Sequence, residues 1–179
     1  MMQVVSLSRS DAHGFSKQVA TTLDLIEGEG VAGDAHCGTT VKHRSRVAVD
    51  PSQPNLRQVH LIAAELLDEL NEAGFALSPG DLGENVLTSG LDLVSLPRGT
   101  RLRIGERAEI ELTGLRNPCN QIEAFRPGLL AKVAYKDETG ALVRRAGVMA
   151  IVTAGGTISV SDAIVVTLPE LPHEPLDRV

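Results

Sequence analysis

At 179 residues the chain is long enough to bury a substantial core and short enough that a single domain, residues 1–179, is the expectation. Aromatic residues make up only 2% of it, and the formal net charge is −6, which argues against a base-stacking platform and against binding to a nucleic-acid backbone. No apolar run approaches the roughly 20 residues of a membrane helix, and Met1 to Leu7 lacks the basic start and long apolar core of a signal peptide, so a cytoplasmic protein with no membrane partner is expected.

In chain order, Met2 to Ser8 is a β-branched run ended by Ser and Arg, and Ala20 to Ile26 is a second, stopped by Gly28 and Gly30; both predict strands. The stretch from Gly30 to Gly38 is too rich in glycine for a regular element and predicts a loop with backbone at positive φ. His43-Arg44-Ser45-Arg46 and Asp50-Pro51-Ser52-Gln53-Pro54 follow as an exposed connector. From Ile62 to Ala73 the apolar residues Ile62, Leu66, Leu67, Leu70 and Ala73 recur at helical spacing, with Glu65, Asp68, Glu69 and Glu72 on the other face, which predicts a helix stopped at Gly74. After Pro79-Gly80 the pattern turns to β: Glu84 to Thr88, then Arg101 to Ile104 and Ala108 to Thr113, joined as a hairpin at Gly105-Glu106 with opposite charges on its wet face. Ile122 to Val133 predicts one helix broken at Pro127. A second hairpin-like pair is expected from Gly147 to Thr153 and Ala163 to Leu168, around a short strand near Ile158, before a Pro-containing tail from 169 to 179. Many short strands, glycine-marked turns and few helices favour a mainly β fold, a closed or nearly closed barrel, over an α/β sheet.

The chemistry-bearing residues begin with Cys119, which follows a predicted strand in Leu115-Arg116-Asn117-Pro118-Cys119-Asn120-Gln121. Pro118 fixes its own φ and restricts Asn117, and Arg116 can stabilise a nearby thiolate, the form that attacks electrophiles and binds metals. A buried, inert thiol is the competing reading, since free cysteine is among the most buried residue types. The other cysteine, Cys37, is far from Cys119 in sequence, so two free thiols are expected in a reducing compartment rather than a disulfide. Asp34-Ala35-His36-Cys37 with His43 suggests zinc, but the chain has too few cysteines for a four-ligand structural site. Gly80-Asp81-Leu82-Gly83-Glu84-Asn85 has glycines that permit close backbone approach to a ligand, yet lacks the Lys-Ser or Lys-Thr of a phosphate-binding P-loop. His60, in the Arg57-Gln58-Val59-His60 lead to the helix, reads as a cap or a satisfied core group, and no serine sits in a nucleophile elbow.

Taken together, Gly33-Asp34-Ala35-His36, Arg57-Gln58-Val59, Pro79-Gly80-Asp81-Leu82-Gly83-Glu84-Asn85-Val86-Leu87-Thr88, Gly99 to Gly105, Arg116-Asn117-Pro118-Cys119 and Gly147 to Val166 resemble, in order, the motifs of the MOSC family, named for the C-terminal domain of molybdenum cofactor sulfurase. The resemblance is strongest over residues 30–168. It implies a strongly bent β-barrel and a molybdenum cofactor (molybdopterin), with Cys119 as metal ligand or sulfur carrier, a role that suits a soft thiolate. It further implies Arg57 and Arg116 as phosphate-holding candidates, and Asn85, His36 and Asn117 as hydrogen-bonding candidates for the pterin. There is no room for an aminotransferase-like domain, so no pyridoxal phosphate site is expected. Nor is there a reductase module, so an electron-donor or sulfur-donor protein would act in trans. Small stand-alone members of the family resemble proteins that reduce N-hydroxylated purines. Two functions follow: reduction of an N-hydroxylated small molecule, or transfer of a Cys119 persulfide without molybdenum-dependent turnover.

Overall fold

A computed structural model describes residues 1–179, and its strands far outnumber its helices. The chain runs β1 (Gln3–Arg9), β2 (Gln18–Ala20), β3 (Thr22–Ile26), β4 (Gly30–Val31), α1 (Arg44–Val47), β5 (Val59–Ala63), α2 (Ala64–Glu72), β6 (Val86–Ser89), β7 (Arg101–Ile104) and β8 (Ala108–Leu115). It continues through α3 (Asn120–Phe125), α4 (Leu130–Val133), β9 (Ala134–Lys136), β10 (Leu142–Arg144), β11 (Val148–Ala154), β12 (Gly156–Ser159) and β13 (Ile164–Thr167). No helix is long and apolar enough to cross a membrane.

Eight strands form one sheet in the order β13-β7-β8-β11-β5-β6-β1-β2, and β12, β3 and β4 form a smaller one. Neither sheet closes, which corrects the barrel expectation. The nearest approach to closure is a single bridge, Gln3 to Ala163, with Val4 N–H donating to Asp162 O and Ile164 N–H to Met2 O. These bonds reach only the first half of β1, because its second half pairs with β2.

Alternation of apolar and polar residues builds the β7–β8 hairpin as expected. Leu102 faces Ile110 on the buried side, while Arg101 faces Glu111 and Arg103 faces Glu109 on the wet side. The expected Ala20–Ile26 strand is divided at Thr21: β2 pairs with β1, and β3 leaves for the smaller sheet. Similarly, Gly147–Thr153 and Ala163–Leu168 do not pair with each other. β11 lies between β5 and β8, and β13 pairs with β7, because β12 carries the chain away to β3.

The helix begins two residues later than its periodicity suggested, since Ile62 belongs to β5. Val59 to Ile62 are all buried, and a short run buried on both faces has no period that separates strand from helix. Gly74, at φ +93°, ends α2, with Phe75 N–H donating to Leu70 O in the manner of a C-terminal glycine stop. Pro127 separates α3 from α4 as expected.

Two apolar clusters result. The larger lies on one side of the sheet and includes Val59, Leu61, Val148 and Ala150; the smaller joins Ile62 and Leu87 to α2, Ile122 and Leu129 on the other side. On that second side His60 and Met149, opposite each other in the β5–β11 pair, are left as the floor of a cavity.

Candidate functional site

The cavity, of about 270 Å³, is walled by four separate stretches of loop. Phe15 and Lys17 come from the segment before β2, His36 from the loop after β4, His43 and Arg46 from the connector and α1, and Arg116, Asn117 and Cys119 from the turn after β8; Arg57, Gly83 and Asn85 complete it. It thus brings together all six residues singled out from the sequence: His36, Arg57, Asn85, Arg116, Asn117 and Cys119.

Close backbone approach brings the first wall in. Gly80 and Gly83 have φ of +88° and +82°, a region that glycine alone adopts freely. A Cβ at Gly80 would overlap Lys17 O, and one at Gly83 would lie 2.5 Å from Phe15 O. The two glycines therefore admit the 15–17 backbone, with Lys17 N–H donating to Gly80 O at 2.8 Å, rather than a ligand. Within this loop Glu84 is buried. Its Oε1 accepts from Gly80 N–H at 2.5 Å, and its Oε2 has no partner. Burial pushes the Glu84 carboxyl up, against the opposing pull of the Gly80 hydrogen bond and the Arg116 charge.

The central support of the site is Asp34, whose side chain is wholly buried. One oxygen accepts from Ser10 N–H and from the Asn85 amide, both at 3.2 Å, and pairs with Lys17 Nζ at 2.9 Å. The other accepts from His36 N–H at 3.1 Å and faces His36 Nδ1 at 3.3 Å. Burial alone would raise this carboxyl, but the His36 hydrogen bond and the Lys17 charge outweigh it and hold Asp34 well below the usual carboxylate range. Burial pulls the Lys17 ammonium down, and Asp34 opposes that pull.

Asn85 is consumed by this network. Its amide hydrogens go to Ser8 O and Asp34, and its oxygen accepts from His60 N–H, so it ties β1, β5 and Asp34 together instead of offering a free donor. Asn55 has a similar role: its amide donates to His36 O and Gly38 O, and its oxygen takes Arg57 N–H. Nothing in Pro54-Asn55-Leu56 distinguishes it from an ordinary loop asparagine, and sequence reasoning passed over it.

Three guanidiniums line the cavity. Arg116 donates to Leu82 O at 2.5 Å and lies 5.5 Å from the centre of the Phe15 ring, a cation–π arrangement. Arg57 donates to Val179 O through Nε and Nη2. The Arg46 guanidinium makes no hydrogen bond or ion pair within the protein. Desolvation first, then the neighbouring Arg46 and Arg116 charges, lower Arg57 to about 10, while Cys119 pulls it up. His43 is pushed down to about 4 by burial and by Arg57, His36, Arg46 and Arg116, so it is neutral at pH 7. Buried His60, floor of the cavity, has its Nε2 at 2.9 Å from Ala146 O and is held well below its ordinary value by desolvation. Of these cavity groups, Lys17, Arg46 and Met149 were not anticipated, and His43 was considered only as a zinc ligand. The basic His43-Arg44-Ser45-Arg46 run was the available signal, read instead as connector.

Cys119 is half-buried and occupies the position before α3 with an extended backbone; its Sγ lies 3.6 Å from Gln121 Oε1. Both cysteines are free thiols, and no three His, Cys, Asp or Glu side chains converge as a metal cluster. Neither Asp nor Glu lines the cavity, whereas Lys17, Arg46, Arg57 and Arg116 do. In a chain of net charge −6 this is a local reversal of sign beside a thiol, which suits a ligand carrying both a phosphate-like anion and a soft metal or sulfur centre.

Comparison with known proteins gives one family: the model of the MOSC domain matches residues 38–165. No curated protein sequence matches. Among solved structures, the YuaD protein from Bacillus subtilis is 28% identical with a TM-score of 0.75, covering 95% of this chain and 98% of that one. YiiM from Geobacillus stearothermophilus is 15% identical with a TM-score of 0.66, covering 98% of this chain and 80% of that one. YiiM from Escherichia coli is 21% identical with a TM-score of 0.62, covering 97% and 73%. The last two likenesses concern the fold alone.

Proposed function

The chain belongs to the MOSC domain family, and on that premise we propose that its cavity binds a molybdenum cofactor, with the Cys119 thiolate as metal ligand, and reduces N-hydroxylated small molecules with electrons from a partner protein. The observation that carries this reading is the wall of Arg46, Arg57 and Arg116 that the cavity shares with Cys119, three guanidiniums with no carboxylate partner. Arg46, free of protein partners, would hold the cofactor's phosphate, with Arg57 and Arg116 beside it. A guanidinium has five N–H donors, so the bonds to Val179 O and Leu82 O leave both residues donors to spare. When bound, the cofactor supplies a redox-active metal that passes electron pairs to the substrate. Asn117, exposed next to Cys119, would offer the hydrogen bond to the pterin that Asn85 cannot.

The assay is reduction of an N-hydroxylated purine by protein from a cofactor-producing host, with reduced viologen as donor. Turnover that Cys119→Ala abolishes is expected. Absence of turnover together with sulfur released from Cys119 by cyanide, as thiocyanate, would replace this function with persulfide transfer.

A further inference from the structure

We propose that His36 and Asp34 form a proton-delivering dyad in which the His36 Nε2 gives a proton to the group departing from the cavity-bound substrate. The proposal rests on the reductase reading and assigns one of its steps.

Its basis is the ring's orientation. The Nδ1 edge faces Asp34 Oδ2 at 3.3 Å, and the His36 main-chain N–H donates to the same oxygen at 3.1 Å. Asp34 is fully enclosed and already accepts from Ser10, Lys17 and Asn85. An ionised carboxylate can only accept, so the proton between the two groups belongs to Nδ1. That fixes the tautomer, as a carboxylate behind a catalytic or metal-bound imidazole does. Nε2 is then the basic nitrogen, and it has no protein partner although His36 lines the cavity and its side chain is 26% exposed. Asn55 fixes the main chain beneath by donating to His36 O. The groups that face the ring are Asp34 behind it, His13 and His43 with ring centres at 5.4 and 6.4 Å, and the guanidiniums of Arg46 and Arg57 on the shared wall.

The chemistry needs such a donor. Reduction of an N-hydroxylated compound breaks the N–O bond, consuming two electrons from a flavin or iron–sulfur carrier protein and two protons. The oxygen leaves as water and the nitrogen becomes N–H. Nε2–H of the imidazolium supplies the proton that turns the departing hydroxide into water. The second proton reaches nitrogen from solvent, and Nε2 is reprotonated from solvent before the next turnover. Proton donation to a leaving group by a positioned imidazole contributes typically 10²–10⁴-fold. Asp34 is a positioning residue in this scheme.

The test is nitrogen-15 NMR of the histidines in the unaltered protein, with inorganic phosphate as the probe. The expected result is that the neutral form of the His36 ring carries its proton on Nδ1, and that its Nε2 resonance moves when phosphate fills the cavity. A neutral His36 protonated on Nε2, or an Nε2 blind to saturating phosphate, overturns the proposal. A kinetic arm follows: His36→Gln should lower kcat about 10²-fold and remove the imidazole's ionisation from the pH profile, with molybdenum content unchanged. Unchanged kcat also overturns it. If the unaltered protein binds molybdenum yet reduces nothing, the reductase reading fails, while the NMR result still decides whether the dyad exists.

Discussion

Asp34 illustrates how one side chain organises a site it barely touches. Its carboxylate gathers Lys17, His36 and Asn85 from three distant parts of the sequence, and each depends on it. Replacing it by asparagine leaves Lys17, only 5% exposed, without its counter-charge, and losing one partner of a buried ion pair costs about 3–5 kcal/mol. A urea titration of Asp34→Asn at pH 7 should show a loss of that size. Because folding lowers the Asp34 pKa, its contribution is complete above its ordinary value of 3.8 and disappears as pH falls below that, the direction linkage requires. Stability of the unaltered protein should therefore fall below about pH 4, and the Asn variant should show a shallower fall. Equal slopes in the two proteins would remove Asp34 from the account. At this scale the sequence was readable where residue chemistry is distinctive: Cys119, Arg57, Arg116, Asn117 and His36 all face one cavity. Asn85 was read as a ligand group but serves as scaffold, and Asn55 and Lys17 were missed. An amide or an amine reveals its role only through partners many residues away.

Among elements, the loop from Gly80 to Asn85 decides whether the first cavity wall exists. Alanine at Gly80 has to adopt φ near +88° with its Cβ driven into the Lys17 backbone oxygen, so the segment carrying Lys17 must retreat. Gly80→Ala should cost at least about 2 kcal/mol, the order of backbone strain plus a displaced contact. Calorimetry should then show a Tm roughly 4–8 °C lower. Gly28→Ala, where nothing lies within 4 Å, should cost less despite its own φ of +73°; a larger loss there would contradict the steric argument. Local pattern made the β7–β8 hairpin, the α2 stop at Gly74 and the break at Pro127 legible. It failed for β5, where every residue from Val59 to Ile62 is buried and alternation vanishes. It also failed for β11 and β13, whose partners are chosen by the excursion of β12 rather than by neighbouring sequence.

For the molecule as a whole, short strands and sparse helices indicated the β class, but not whether its sheet closes. Closure depends on long-range pairing, here prevented because β2 takes the outer edge of β1. What the whole fold achieves is concentration of charge: a chain of net −6 brings three guanidiniums without carboxylate partners into one cavity with a thiol. An anion should therefore stabilise it by mass action. Inorganic phosphate at about 100 times its Kd should add about 2.7 kcal/mol, an increment that Arg46→Ala reduces and high salt weakens. Thermal melts with phosphate at low and high sodium chloride measure this, and a phosphate effect identical in Arg46→Ala would place the anion elsewhere.

The most direct test is molybdenum by elemental analysis of protein purified from a host that makes the cofactor, comparing the unaltered chain with Cys119→Ala. Near-stoichiometric metal that disappears in the variant is the predicted result. Metal absent from both, or retained without the Cys119 thiol, would contradict Cys119 as its ligand.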